Sequence, residues 1–185
     1  MEPAGDLDRH FLRADRLDRG IRDDGGRLHA HQGPPLGRRC KRGAFGNAIG
    51  RSRGGRTTKI HALTDDRGKP IALTITAGNV HDLVGARDLL ALAPLPRRLV
   101  ADCAYDAKSL RDWLAAHGAE AVIPSNPTRK HPHTYDAEAY KSRNLIERMF
   151  CRLKDFRRIA TRYDKLARNF LAGILIVAAI TWWLN

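Results

Sequence analysis

Between Ala139 and Phe156, in AYKSRNLIERMFCRLKDF, a phenol, a guanidinium, a carboxylate and an ammonium recur at helical spacing: Tyr140, Arg143, Glu147 and Lys154. On an ideal helix these four fall within about 60° of arc. The apolar residues Leu145, Ile146, Met149, Leu153 and Phe156 centre roughly 130° away around the same helix. The stretch is expected as one helix with a buried back and a narrow chemical face. Glu147 also has a plainer reading, since a Glu flanked by Arg143 and Arg148 can be a simple i,i+4 helix pair. A second acid, Asp102, ends the apolar run Leu99-Val100-Ala101. Polar groups at the C-terminal ends of strands in α/β sheets face the crevice where ligands bind. The plain reading of Asp102 is a cap or turn residue, but Asp106 is the better N-cap for the following helix, which leaves Asp102 without a structural job. Two carboxylates on facing elements of a basic groove suit divalent metals acting on phosphodiesters. Mg2+ takes a few carboxylates plus water and phosphates, and two such ions activate a nucleophile and stabilise the leaving oxygen.

The elements that must position these groups begin at Thr57. TTKIHALTD alternates with period two, Thr58, Ile60 and Ala62 against Lys59, His61 and Leu63. DDRGKP is a tight turn, and PIALTITAG a β-branched return strand, so the pair reads as an antiparallel hairpin. VHDLVGARDLLALA is expected as a helix and RRLVADCAYD as a short strand. AKSLRDWLAAHG is a helix between Asp106 and Gly118, and AEAVIPSN a strand stopped by Pro124. Alternation of this kind predicts an α/β fold, a mixed β-sheet flanked by helices. Residues 1–32 form a polar N-terminal arm in which FLRADRLDRGI could make a short helix and nothing reads as a buried strand. Residues 33–56 are a basic Gly/Arg-rich loop, and residues 57–185 hold the regular core.

The charge names the partner class. The chain has 33 Lys+Arg against 20 Asp+Glu, a formal +13, and a field of that sign attracts polyanions. Two blocks carry it. Arg38 to Lys59 contains eight Lys/Arg and no acid, and Arg129 to Arg168 contains twelve against five. Either block alone can be a solvated face; two flanking organised structure point to nucleic acid, with the first a DNA-contacting loop through Arg51, Arg53, Arg56 and Lys59. GRSRGG within it lacks the GK[ST] ending of a phosphate-binding P-loop. Cys40, Cys103 and Cys151 have no CxxC spacing, which suits a reducing cytoplasm and argues against a disulfide framework or a structural zinc site. His29, His31, His131 and His133 read as loop histidines, and His81-Asp82 as a helix cap. FLAGILIVAAITWWL is an uncharged run of fifteen residues, shorter than the ~20 a membrane span needs, so a core or docking helix with Trp182 and Trp183 is expected.

Tyr140-x2-Arg143-x3-Glu147-x6-Lys154, with GRSRGGRTTKIHALTD, ADCAYD and FRRIATRYDKLARNFLAGI in that order, resembles bacterial insertion-sequence transposases of the DDE class. The likeness is to the insertion-sequence-five-like branch, with its insertion-sequence-four-type DDE domain, and runs from about Ala30 to Asn185. It implies an RNase H-like catalytic core and a DD…E triad holding two Mg2+ (or Mn2+) ions. Such enzymes cut double-stranded DNA at transposon terminal repeats and join the 3′-hydroxyl to target DNA. By resemblance the second Asp is Asp102 and the Glu is Glu147, while Tyr140, Arg143 and Lys154 contact or orient DNA. The first Asp falls in DGGRLHAHQ, where a pattern like D-S-T-x-x-R-A-H-Q selects Asp24, with Asp23 adjacent; the preceding RLDRGIRD lacks the apolar residues of a central strand, so the resemblance implies at most a remnant of the first catalytic strand within residues 1–32 and the RNase H-like DDE catalytic core at residues 57–185. The resemblance further implies a homo-oligomer on DNA in the bacterial cytoplasm, associated with the nucleoid when bound and with no membrane partner, and a chain N-terminally truncated or split. The alternative is a catalytically impaired fragment that binds DNA or full-length transposase without cutting.

Overall fold

A computed structural model describes residues 9–18, 47–52 and 55–184. Its six-stranded sheet comprises β1 (Arg9–Asp18), β2 (Gly50–Ser52), β3 (Gly55–Thr64), β4 (Pro70–Ala77), β5 (Arg98–Ala101) and β6 (Glu120–Val122). The strand order is β2-β3-β1-β5-β6, with β4 also paired to β3. β1, β5 and β6 run parallel, in the registers Leu12 with Ala101 and Val100 with Val122. A β3–β4 hairpin beside a parallel β1-β5-β6 set is the strand order of the RNase H-like α/β fold, as the resemblance implied.

The first strand is a correction. The arm up to residue 32 offers no sequence pattern of a buried strand, yet Arg9–Asp18 lies between β3 and β5. Three consecutive residues make this tenable: His10, Phe11 and Leu12 are exposed by 1% or less. A strand covered on both faces needs a continuous buried run rather than alternation, and in β1 that run falls within its pairing with β5, Arg9 to Leu12.

β3 shows the same effect. It alternates in sequence as expected of a hairpin strand, and every residue from Thr57 to Thr64 is buried. The turn after it is held by Asp65, whose Oδ1 accepts from the Arg67 and Lys69 N–H groups at 3.0 and 2.7 Å. Gly68 takes the left-handed conformation this turn requires.

The chain divides into two compact units. The first takes the described residues up to Ala14, His61–Thr74 and His81–Arg152; the second takes Ile75–Val80, the described residues between these up to Ile60, and those from Leu153 onward. In the first unit, α1 (Asp82–Leu92) and α2 (Lys108–Ala116) supply Leu89, Leu90, Leu110 and Leu114 to a core with Leu12, Leu63, Leu99 and Ala101. Phe11, Val100 and Val122 lie on the other face of the sheet by strand alternation. α2 ends in a Schellman motif: the Ala119 and Gly118 N–H groups donate to Leu114 and Ala115 oxygens, with Gly118 at φ 73°.

The second unit contains α5 (Arg157–Ala160) and α6 (Ala167–Trp182). Its centre is Arg162, only 3% exposed. The guanidinium donates to the Asn47, Ala48 and Asp164 carbonyl oxygens at 2.8, 3.1 and 2.9 Å and to Thr58 Oγ1 at 2.6 Å, and it stacks over the Phe170 ring at 4.9 Å. α6 buries Phe170, Ile174 and Ala178, while Ile176, Ile180 and Trp183 are 60%, 48% and 59% exposed. The apolar run is thus a one-faced helix rather than a core helix. No described helix is long and apolar enough to cross a membrane.

Candidate functional site

The stretch expected as one helix is two. α3 (Ala137–Lys141) stops, and α4 (Asn144–Lys154) restarts after Ser142 and Arg143. Ser142 Oγ donates to the Ala139 carbonyl at 2.5 Å, and the Arg143 N–H bonds Tyr140 O at 3.0 Å. These i→i+3 bonds tighten the chain and interrupt the i→i+4 ladder. Tyr140 therefore lies on α3, Arg143 in the break and Glu147 in the first turn of α4. Arg143 still meets both neighbours, its guanidinium 5.4 Å from the Tyr140 ring centroid and 2.7 Å from Glu147 Oε1. Tyr135 packs edge-on against Tyr140 at 5.6 Å. Lys154, the last residue of α4, falls in the second unit.

Asp102 follows β5 and takes its plain reading, a cap, rather than standing without a structural job. Its Oδ1 accepts from the Ala104 N–H at 3.0 Å, capping a single 3-10 turn over Cys103–Tyr105. Asp106, expected to cap α2, does not; the N-cap position is Ala107, with no side-chain cap bond. The Asp106 carboxylate is instead fully buried and paired with Arg111 at 2.8 Å and Arg129 at 2.9 Å. Burial alone would raise its pKa. The Asn126 N–H, then Arg111 and Arg129, outweigh that and hold it down to about 2.

Asp102 and Glu147 occupy the same unit, and Asp102 acts on two phenols there. Burial pushes the Tyr140 phenol up; Arg143 opposes this, and the Asp102 charge adds to it. Burial also pushes the fully buried Tyr105 phenol well up, reinforced by Asp82 and Asp102 and opposed by Arg13. Arg13 is the residue that sequence reasoning missed. With Leu12 paired to Ala101, the next residues along the two strands are Arg13 and Asp102. Its Nη1 reaches Glu147 Oε1 at 2.7 Å. Nη1 is buried without an aligned hydrogen-bond acceptor, so the contact is a charge pair rather than a hydrogen bond. Only the strand assignment of Arg9–Asp18 could have exposed it.

Of the remaining expected residues, two face each other across the β2–β3 pair. Arg51 on β2 and Arg56 on β3 are exposed. Lys59 does not belong with them: it is 4% exposed, and its ammonium donates to the Val80 carbonyl at 2.7 Å. His81 caps α1 through Nδ1, which accepts from the Leu83 N–H at 3.3 Å. Asp24, Asp23 and Arg53 lie outside the described residues.

The family described as a transposase DDE domain matches residues 2–182. The chain belongs to that family. A Brucella ovis relative, whose name assigns it to transposition of insertion sequence element IS6501, is 39% identical over 127 residues, covering 68% of this chain and 98% of its own. A Burkholderia cepacia relative named for element IS402 is 31% identical over 148 residues, 74% of this chain and 67% of its own. Among solved structures, a chain of the simian T-cell lymphotropic virus intasome, in complex with PP2A regulatory subunit B56 gamma, aligns at TM-score 0.48 and 15% identity. The alignment covers 80% of this chain and about half, 52%, of that one.

Divalent metal ions are the general cofactor of DDE transposases. A pair of such ions needs several oxygen ligands carrying net negative charge. Among the described residues no group of three or more His, Cys, Asp or Glu side chains is placed to hold an ion. Glu147, moreover, shares one oxygen between two guanidinium groups. As arranged, the described residues of this transposase-family chain do not fit a two-metal site.

Proposed function

We propose that this chain is a DNA transposase core that grips the phosphodiester backbone of duplex ends with basic residues and presents it to the Asp102–Glu147 carboxylates. One observation carries the reading: Asp102, Tyr140, Arg143 and Glu147 gather in one unit around the end of β5, in a chain of the DDE family. Tyr140 and Arg143 orient the backbone at the site, and Arg51 and Arg56 add sequence-independent contacts. The substrate class is double-stranded DNA, namely the terminal inverted repeats of an insertion sequence and the target. The reaction class is phosphodiester hydrolysis followed by transesterification, with Mg2+ or Mn2+ as cofactor. Asp24 remains the candidate for the third acid, and the working form is a homo-oligomer on DNA at the bacterial nucleoid.

A second reading is favoured by the Arg13–Glu147 pair: the chain binds ends without cutting them. Incubation with labelled duplex carrying the repeats that flank its gene separates the two. The first reading expects nicking in Mn2+ that EDTA stops and Glu147→Gln abolishes, with gel-shift binding kept within about threefold. Binding with no nicking by the wild type selects the second. Nicking that persists in EDTA, or in Glu147→Gln, overturns the assigned role of the carboxylates.

A further inference from the structure

Glu147 already has a cation beside it, and that cation comes from the first strand. Arg13 and Glu147 are both partly shielded, their side chains 28% and 39% exposed. β1 delivers Arg13 because its register with β5 puts the residue after Leu12 next to the residue after Ala101. A guanidinium on β1 is thus paired by charge with α4 and follows, in register, the strand position that Asp102 follows on β5. Arg143 adds a second positive charge on the same carboxylate oxygen. We propose that the Arg13 guanidinium is an internal counter-cation that closes the Asp102–Glu147 pair to divalent metal ions in the DNA-free chain. The proposal rests on the transposase reading of the site and adds a regulatory element to it. A guanidinium keeps its charge at every pH at which the fold survives, so this closure cannot be titrated open. A divalent ion approaching Glu147 meets like charge, and displacing Arg13 would leave a partly buried cation unpaired.

Electron paramagnetic resonance of free Mn2+ measures binding directly in the full-length chain, without DNA. Arg13→Met keeps the length of the side chain and removes its charge. It is expected to bind Mn2+ about tenfold more tightly than wild type, whereas Arg13→Lys keeps the charge and is expected to stay near wild type. Adding Glu147→Gln to Arg13→Met is expected to erase the gain. Wild type that binds Mn2+ as tightly as Arg13→Met overturns the proposal, as does a gain that survives Glu147→Gln. If the Arg13 variants do not fold, paramagnetic broadening keeps the test on the wild-type chain. Equimolar Mn2+ should leave the Ile146 and Met149 methyl signals sharp, and their selective broadening overturns the proposal. Failure of the wild type to shift DNA in a gel, with the Mn2+ results as expected, would sink the transposase reading and leave the counter-cation standing.

Discussion

Asp106 is a carboxylate that holds structure, and its neighbourhood differs from that of Glu147 in one measurable way. It is fully buried, bonded to two arginines and the Asn126 N–H, with its pKa held down to about 2. Removing one partner of such a buried pair costs roughly 3 kcal/mol. Asp106→Asn is therefore expected to lower the urea midpoint clearly at pH 6 while leaving DNA affinity nearly unchanged. The sign of the pH effect follows from the depressed pKa. The stabilisation is complete above the unfolded value near 3.8 and is lost as pH falls toward about 2. The gap between wild type and Asp106→Asn should thus be wide at pH 5 and narrow at pH 2.5, and a gap that does not change would contradict the assignment. At this scale the sequence was half legible. The helical beat led to Glu147, and the strand end led to Asp102. The swap between Asp102 and Asp106, one capping a 3-10 turn and the other buried between arginines, depends on Arg111 and Arg129, which lie 5 and 23 residues further on.

Among the elements, β3, β4, β5 and the helices α1 and α2 were legible because apolar spacing and turn residues are local signals. β1 was not. Its burial rests on three residues, His10 to Leu12, inside an otherwise polar stretch, and neighbours on both sides make it a strand. That miss concealed Arg13. The α3–α4 break was hidden for a different reason: AYKSRNLIERM keeps helical periodicity across Ser142, whose hydroxyl competes for a backbone carbonyl. The second unit provides its own test. Arg162 serves five acceptors, the Lys165 carbonyl at 3.3 Å among them, and one ring from a buried position, a geometry that the point charge of a lysine cannot reproduce. Arg162→Lys should cost about 2–3 kcal/mol, with charged hydrogen bonds worth roughly 1.5–3 kcal/mol each and partial replacement by the ammonium. Chemical denaturation checks this, and a change within error would show that the guanidinium only fills space.

For the whole molecule, the formal +13 is a statement about partners rather than fold. If DNA is the partner, the logarithm of the binding constant should fall steeply and linearly with the logarithm of salt concentration. The charge, the family motifs and the i,i+4 pair of Glu147 with Arg143 were legible from the sequence alone; the pairing of Glu147 with Arg13 was not, because it requires β1 and α4 to meet. The most direct measurement of the central claim is a fluorescence-anisotropy titration of labelled terminal-repeat duplex against wild type and Arg143→Ala, at several salt concentrations. The account predicts that Arg143→Ala binds several-fold more weakly, with a salt slope shallower by about one unit. Equal affinity and equal slope for the two proteins would contradict the placement of DNA at Tyr140, Arg143 and Glu147.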